Sequence, residues 1–221
     1  MTGLISYNRN PNIGVIARVN DHIALLPFSC PEDFSSAVSK ELKVDVFKIN
    51  ICGTSLIGSM TVMNNTGILL PKFAYKKEIE AIKKSNLNVG ILKRDRLTAL
   101  GNLILFNDRG AIVYRNFTRG SIKTMEDVLD LEVEKGNIAG FGTVGSIGVA
   151  TNKGAIVHPL AREDEIERIE SVLKTDVDVG TVNRGTGFVR TGILANTKNV
   201  LLGDRTTGPE IVRIEDTLGF L

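Results

Sequence analysis

One phrase of seven residues recurs five times along this chain. Its fullest form is Asn107-Asp108-Arg109-Gly110-Ala111-Ile112-Val113, a polar turn that ends on Gly and runs into a β-branched apolar stretch. Alone, that pattern reads as a hairpin turn feeding a buried strand. It recurs as Asn64-Asn65-Thr66-Gly67-Ile68-Leu69-Leu70 and as Thr151-Asn152-Lys153-Gly154-Ala155-Ile156-Val157. Weaker copies start at Asn20 and Asn196, so the steps between first positions are 44, 43, 44 and 45 residues. Five such steps account for all 221 residues. A unit of that length cannot bury a core of its own, so the five must stack on one another.

Composition narrows the partners. Lys and Arg number 27 against 25 Asp and Glu, a net charge of +2. Affinity built on phosphate neutralisation usually needs a larger basic excess, so bulk charge gives no support to nucleic-acid binding, and DNA is not expected as a partner. The N-terminal stretch lacks the basic and long apolar segments of a signal peptide. No apolar run reaches the length of a bilayer span. Cys30 and Cys52 are the only cysteines, too few for a disulfide framework or a zinc site. The expectation is a soluble, cytoplasmic chain with no membrane partner.

Each repeat reads as strand, Asn turn, strand, helix, strand. In the first, a strand from Val15 to Val19 turns at Asn20 and returns through Ala24-Leu25-Leu26, which Pro27 ends. Ser29-Cys30-Pro31-Glu32 has the spacing of a capping box, and Phe34, Ala37, Val38 and Leu42 then form one apolar stripe. Val44 to Ile49 alternates as a half-buried strand. The later repeats follow the plan, with helix stripes at Tyr75, Ile79 and Ile82, at Ile122, Met125 and Leu129, at Ile166, Ile169 and Leu173, and at Ile211, Ile214 and Leu218. The fifth repeat lacks the strand after its helix, whereas Leu4-Ile5-Ser6-Tyr7 is a strand signal with no repeat of its own. If that segment fills the vacant slot, residues 1–221 form one domain closed into a ring, with no exposed sheet edge. The expected object is an α+β five-bladed propeller with five-fold pseudosymmetry, its strands inside and helices outside, and a monomer.

Ring closure sorts residues onto two rims. A Gly stands about six residues before the turn in four repeats (Gly14, Gly58, Gly101 and Gly145), so the Gly and Asn ends lie roughly 20 Å apart at about 3.3 Å per residue. The Asn rim carries Asp21, His22, Asp108, Arg109, Lys153 and Lys198. The Gly rim carries Val15, Ser59, Asn102, Ser146 and Thr191, all uncharged, and charge depletion marks the centre of protein contacts. The Gly rim is therefore the expected docking face, with Gly14, Ser59, Asn102, Ser146 and Thr191 as its residues. The structural alternative is that the glycines only let neighbouring blades approach closely.

Other motifs carry less. Gly140-Phe141-Gly142-Thr143-Val144-Gly145 spells G-x-G-x-x-G, but a dinucleotide site needs a helix after it, and here a strand from Ile147 to Ala150 follows. Cys30, Cys52, His22 and His158 are the available residues for Cys/His chemistry, the two histidines lying in corresponding turns of different repeats. A nucleophile needs a base and an orienting group, and incidental placement is the simpler reading. The acidic cluster Glu163, Asp164, Glu165, Glu167 and Glu170 suits the start of a helix. Lys76, Lys77, Lys83, Lys84, Lys93, Arg94 and Arg96 form the densest basic region, without the aromatic interleaving that stacks bases.

Three stretches carry a family resemblance. Thr98-Ala99-Leu100-Gly101-Asn102, Gly180-Thr181-Val182-Asn183-Arg184-Gly185 and Thr206-Thr207-Gly208-Pro209-Glu210 resemble signature segments of translation initiation factor 6, and Ile214-Glu215-Asp216-Thr217-Leu218-Gly219 is similar to the ending of the archaeal form. The resemblance runs over the whole chain. It implies the pentein fold, a five-fold β/α ring. It also implies binding to the intersubunit face of the large ribosomal subunit, blocking association with the small one. The implied contact is chiefly a ribosomal protein near the sarcin–ricin loop, with a minor contact to rRNA. Asn102 and its repeat equivalents are the implied contact positions, and Ser59 stands where eukaryotic members tend to place a basic residue. The same fold hosts guanidino-modifying hydrolases and transferases, which need a Cys late in the chain. Nothing after Cys52 meets that need, so no enzyme activity and no cofactor are expected.

Overall fold

The computed structural model describes residues 2–93 and 95–221; Arg94, part of the basic region above, lies outside them. The first blade comprises the one-turn helix α1 (Ile13–Ile16), β2 (Arg18–Val19), β3 (Ile23–Leu26), the outer helix α2 (Glu32–Leu42) and β4 (Asp45–Lys48). The second repeats the order as α3 (Ile57–Met60), β5 (Val62–Met63), β6 (Gly67–Pro71), α4 (Lys76–Ile82) and β7 (Asn88–Leu92). The third has α5 (Leu100–Leu103), β8 (Ile104–Phe106), β9 (Gly110–Tyr114), α6 (Arg119–Leu129) and β10 (Glu132–Gly136). The fourth opens on a turn and continues as β11 (Gly148–Ala150), β12 (Ala155–Val157), α7 (Glu163–Leu173) and β13 (Val177–Val179). The fifth has a 3-10 turn (Val189–Gly192), β14 (Ile193–Ala195), β15 (Val200–Gly203) and α8 (Gly208–Thr217).

Within each blade the first two strands are an antiparallel hairpin and the last strand joins the second in parallel. In the fifth blade the parallel partner of β15 is β1 (Gly3–Ile5), with Leu4 opposite Leu202. The N-terminal strand thus occupies beside β15 the place that β4 occupies beside β3. The middle strands are apolar on both faces and buried along all or nearly all of their length, as strands covered on both sides must be. Five apolar clusters lie around the ring, and each draws residues from two neighbouring blades. The core is therefore a torus around an axial hollow.

Several local readings need correction. The stretch before each first strand is a helical turn, not the opening of a strand, so the strand expected from Val15 to Val19 shrinks to Arg18–Val19. A Gly in that turn has no side chain to pack, which lets the turns crowd about the axis. Ser29 makes no capping box: α2 begins after Pro31 with no side-chain cap, and the Ser29 hydroxyl pairs with the Tyr7 hydroxyl at 3.0 Å. Tyr75 is exposed at the start of α4, outside its apolar stripe. His22 lies in the Asn turn of the first blade and His158 follows β12 at the opposite end of a blade, so the two are not equivalent.

Candidate docking face

Asparagine side chains stitch the blades together at one end. The Oδ1 of Asn107 accepts from the N–H groups of Arg109 (2.8 Å) and Gly110 (3.1 Å), which folds the turn. Its Nδ2 donates to the carbonyls of Thr151 and Leu173, 3.2 and 2.8 Å away in the next blade. Asn64 reaches Leu129 in the same way, and Asn196 reaches Asn20 and Leu42, across the closure of fifth blade on first. The next position adds a second circuit: Asn65 donates to Asp21 and Asp108, Asn152 donates to Asp108, and the N–H of Thr197 donates to Asp21. The polar groups of this rim are thus largely spent on holding the ring.

The other end is built differently. Because the last strand of each blade parallels the second, the loops after β4, β7, β10, β13 and β1 emerge there, together with the N-termini of the outer helices. At the centre, a Cβ on Gly14, Gly58, Gly101 or Gly145 would overlap a backbone carbonyl of the preceding blade, at Arg190, Gly14, Gly58 and Gly101 respectively. The close-approach reading of these glycines holds. Around them the loops enter left-handed turns, at Cys52 and Gly53, at Ala139 and Gly140, and at Asn183, Arg184 and Gly185. Successive N–H groups in that conformation form an anion-binding concavity, and a buried carboxylate from the first turn of the outer helix fills each one. Glu78 accepts from Cys52 (2.8 Å) and Gly53 (2.9 Å), and Glu165 from Ala139 (3.0 Å). Glu210 accepts from Gly185 (2.8 Å), Arg184 (3.2 Å) and its own helix N-cap, Thr207 (2.7 Å). Burial pushes the Glu210 carboxyl up, but the N–H groups of Thr207 and Gly185 and the hydroxyls of Thr181 and Thr207 outweigh it and hold the group at about 2. The third blade inverts the device: the buried loop residue Asp95 accepts from Thr118 at the helix N-cap.

This pinned scaffold presents apolar side chains outward. Six of the nine exposed large apolar residues among those described lie on it: Phe28, Leu56, Phe73, Tyr75, Leu160 and Phe188. Phe28, Phe73 and Leu160 stand in the turn between the second strand and the outer helix, 68, 57 and 70 % exposed. Phe188 belongs to an aromatic group with Phe141 (5.7 Å between ring centroids) and His158 (6.4 Å) that bridges the fourth and fifth blades. None of the six exposed residues was singled out as a contact residue by sequence reasoning. The available signal was an aromatic or Leu placed just after the strand-ending turn in three repeats, where a solvated loop would carry polar residues.

The five residues expected to form the contact divide. Ser59, Asn102 and Thr191 are half-buried near the centre of this face. Gly14 and Ser146 are buried; the Ser146 N–H donates to Asn102 O (3.2 Å) and its carbonyl accepts from Arg190 N–H (3.2 Å), so its role is internal. The expectation of a charge-free rim also fails. Arg190 replaces Gly in the fifth repeat, Arg18 reaches inward from the first, and Arg9, Arg96 and Arg184 are exposed on the surrounding loops. The Arg18 guanidinium donates to the carbonyls of Gly58 and Thr61 and lies over the Phe106 ring.

Neither cysteine is set up as a nucleophile. Burial pushes the Cys30 thiol up to about 11, and burial with the neighbouring Glu78 carboxylate does the same to Cys52, the opposite of what an activated nucleophile needs. No group of His, Cys, Asp and Glu among the described residues is arranged to hold a metal ion. Behind Gly140 to Gly145 comes β11 and not a helix, so no dipole meets that glycine run. No helix among the described residues is long and apolar enough to cross a membrane.

Comparison with known proteins bears on this geometry. Among solved structures, a dimethylarginine dimethylaminohydrolase captured as an adduct with S-methyl-L-thiocitrulline matches with a TM-score of 0.52 and 11 % identity, over 76 % of this chain and 68 % of that one. That likeness is one of fold alone, and it marks the five-bladed ring as a pentein. Among curated proteins, translation initiation factor 6 of Methanocaldococcus jannaschii is 44 % identical over 96 % of this chain and 95 % of its own length. Translation initiation factor 6 of Pyrococcus horikoshii is 40 % identical over 98 % of each. The model of the eIF-6 family matches residues 3–217, from the closing strand β1 to the last residue of α8. With the ring, its closure and its loop face all inside that span, the chain belongs to the eIF-6 family of translation initiation factors.

Proposed function

We propose that the loop face docks on the intersubunit side of the large ribosomal subunit and, by occupying that ground, keeps the small subunit from joining. The observation that carries this reading is the gathering of exposed Phe28, Leu56, Phe73, Tyr75, Leu160 and Phe188 on one rigidly pinned face. An apolar patch of that kind on a closed ring marks an interaction surface. The family resemblance supplies the partner, a ribosomal protein near the sarcin–ricin loop with a minor contact to rRNA. Exposed Arg9, Arg96 and Arg184 at the rim suit the latter. Ser59, Asn102 and Thr191 sit at the centre of the footprint, where desolvated contacts contribute most. Gly14 and Ser146 set the level of that centre from below. Steric exclusion needs no catalytic group, which agrees with protonated thiols and with relatives named as initiation factors. The protein acts in this reading as a cytoplasmic monomer.

The test is sedimentation with separated ribosomal subunits, followed by light scattering of subunit joining. Wild-type protein is expected to travel with the large subunit alone and to block joining. Asn102→Arg, at the centre, and Leu160→Glu, on an exposed loop, should each weaken co-sedimentation by about tenfold or more, as loss of an energetically dominant contact does. Val212→Glu, on the exposed side of α8, should leave it unchanged. Binding to neither subunit would remove the reading, and equal loss in all three variants would remove the assignment of the face.

A further inference from the structure

The axis of the ring encloses a hollow of about 70 Å³ whose wall includes Arg18, Arg190, Phe106, Gly145 and Gly148. Asp21 and Asp108 line it towards the Asn rim, but their carboxylates are engaged by Asn65, Asn152 and Thr197. Towards the loop face the wall is basic. Arg18 is 4 % exposed and Arg190 half-buried. Each commits one nitrogen to the protein: Nη2 of Arg18 to the Gly58 and Thr61 carbonyls, and Nη1 of Arg190 to the Ile193 carbonyl at 3.0 Å. Among the described residues neither forms an ion pair, Nε of Arg18 is buried with no partner, and Arg18 Nη1 and Arg190 Nε and Nη2 donate to no acceptor. A buried cation with a second, half-buried one close enough to repel it carries a penalty that a counter-charge joining them would relieve. Burial and the Arg190 charge indeed hold the Arg18 guanidinium well below its usual range, and burial pushes Arg190 down to about 10.

We infer that the axial hollow is a binding site for a small inorganic anion, held between the free guanidinium nitrogens of Arg18 and Arg190. The hollow has room for a halide or a tetrahedral oxyanion. The site breaks the five-fold pseudosymmetry: four repeats place Gly where the fifth places Arg190, and Arg18 is the one Arg at its position in the five repeats. Ring closure brings these two blades side by side. An anion there ties the closing pair of blades and neutralises the channel behind the docking face. The inference does not depend on what that face binds.

The site is tested with thermal melts at constant ionic strength, exchanging gluconate, a bulky and weakly binding organic anion, for chloride, bromide, sulfate or phosphate. The melting temperature of the wild type is expected to climb with the logarithm of anion concentration once the site begins to fill. Whether halide or oxyanion acts at lower concentration tells which class the site prefers. Arg190→Gly, which installs the residue that the other four repeats carry, should fold and should raise the half-saturating concentration by about tenfold or more. Anomalous diffraction from crystals soaked in bromide is expected to place the ion between Arg18 and Arg190. The same anion dependence in wild type and Arg190→Gly would overturn the assignment, as would bromide density absent from the channel.

Discussion

The side-chain amide of Asn107 folds its own turn with Oδ1 and holds the next blade with Nδ2. Asn107→Ala strands two donors and two acceptors, all but the Arg109 N–H buried, each worth roughly 1 kcal/mol. A loss of about 3 kcal/mol is expected in urea unfolding. Asn107→Thr, the residue nature uses at Thr151, keeps an acceptor for the turn, so a smaller loss is expected from it. Equal losses would show that the turn bonds contribute nothing beyond the inter-blade ones. Glu210 makes a second residue-scale statement, through pH. Its folded carboxyl titrates near 2 against an ordinary 4.5, so folding favours the ionised form. That stabilisation is present above about pH 4.5 and disappears as the pH falls through about 2. Glu210→Gln keeps the shape and removes the titration. Acid unfolding followed by circular dichroism should therefore show a shallower loss of stability from pH 4.5 to 2 in the variant. Parallel profiles would mean the Glu210 bonds do not depend on charge.

The elements explain which parts of the fold were legible in the sequence. Alternation and apolar stripes identified the repeated strands and the outer helices, because those segments bury one continuous face and their period follows from it. The one-turn helices were read as strands. Four residues are too few to show a period, and their apolar content reflects crowding at the axis. The Gly that ends three of the turns was read as a turn residue. In fact Gly67, Gly110 and Gly154 do not need a left-handed backbone; a Cβ on each would overlap the helix carbonyl of Val128, Val172 or Thr217 in the next blade. Gly110→Ala is therefore expected to destabilise by about 1–3 kcal/mol through overpacking. Gly208→Ala makes the contrast: a Cβ there meets nothing within 4 Å in the first turn of α8, and a gain of about 0.5 kcal/mol is expected from the stiffer unfolded chain. Chemical denaturation of the two variants checks both signs. Sequence reasoning placed the expected docking face at the Gly end of the ring but did not single out the apolar side chains exposed there. Exposure of Phe28, Phe73 or Leu160 is a tertiary property, and an apolar residue after a strand looks the same in sequence whether it packs inward or faces solvent.

At the scale of the molecule, what distinguishes a ring from an open array of five blades is the strand β1. Its three residues pair in parallel with β15, and the N–H of Asp204 donates to Ile5 O at 2.9 Å just beyond. Closure is reinforced elsewhere by Asn196 reaching Asn20 and Leu42, and by the hydroxyl of Thr197 reaching Asp21. Deleting residues 1–6 removes the strand but leaves those side-chain bonds, and it exposes the edge of β15 with its apolar Leu201 and Leu202. Unpaired edges of that kind recruit strands from other molecules. The truncated protein is therefore expected to associate in a concentration-dependent way in analytical ultracentrifugation, where the full chain is expected to sediment as a monomer. It should also melt lower by several degrees, as the loss of a few kcal/mol does in a domain of this size. Adding a synthetic peptide of residues 1–8 should reverse both changes, since the vacant edge has a register ready for it. If the truncated chain stays monomeric and melts with the wild type, the ring is held by its side chains and β1 is an accessory. Loss of large-subunit binding on truncation, with the fold retained, would instead mean that the loop after β1, which carries Arg9, belongs to the docking surface itself.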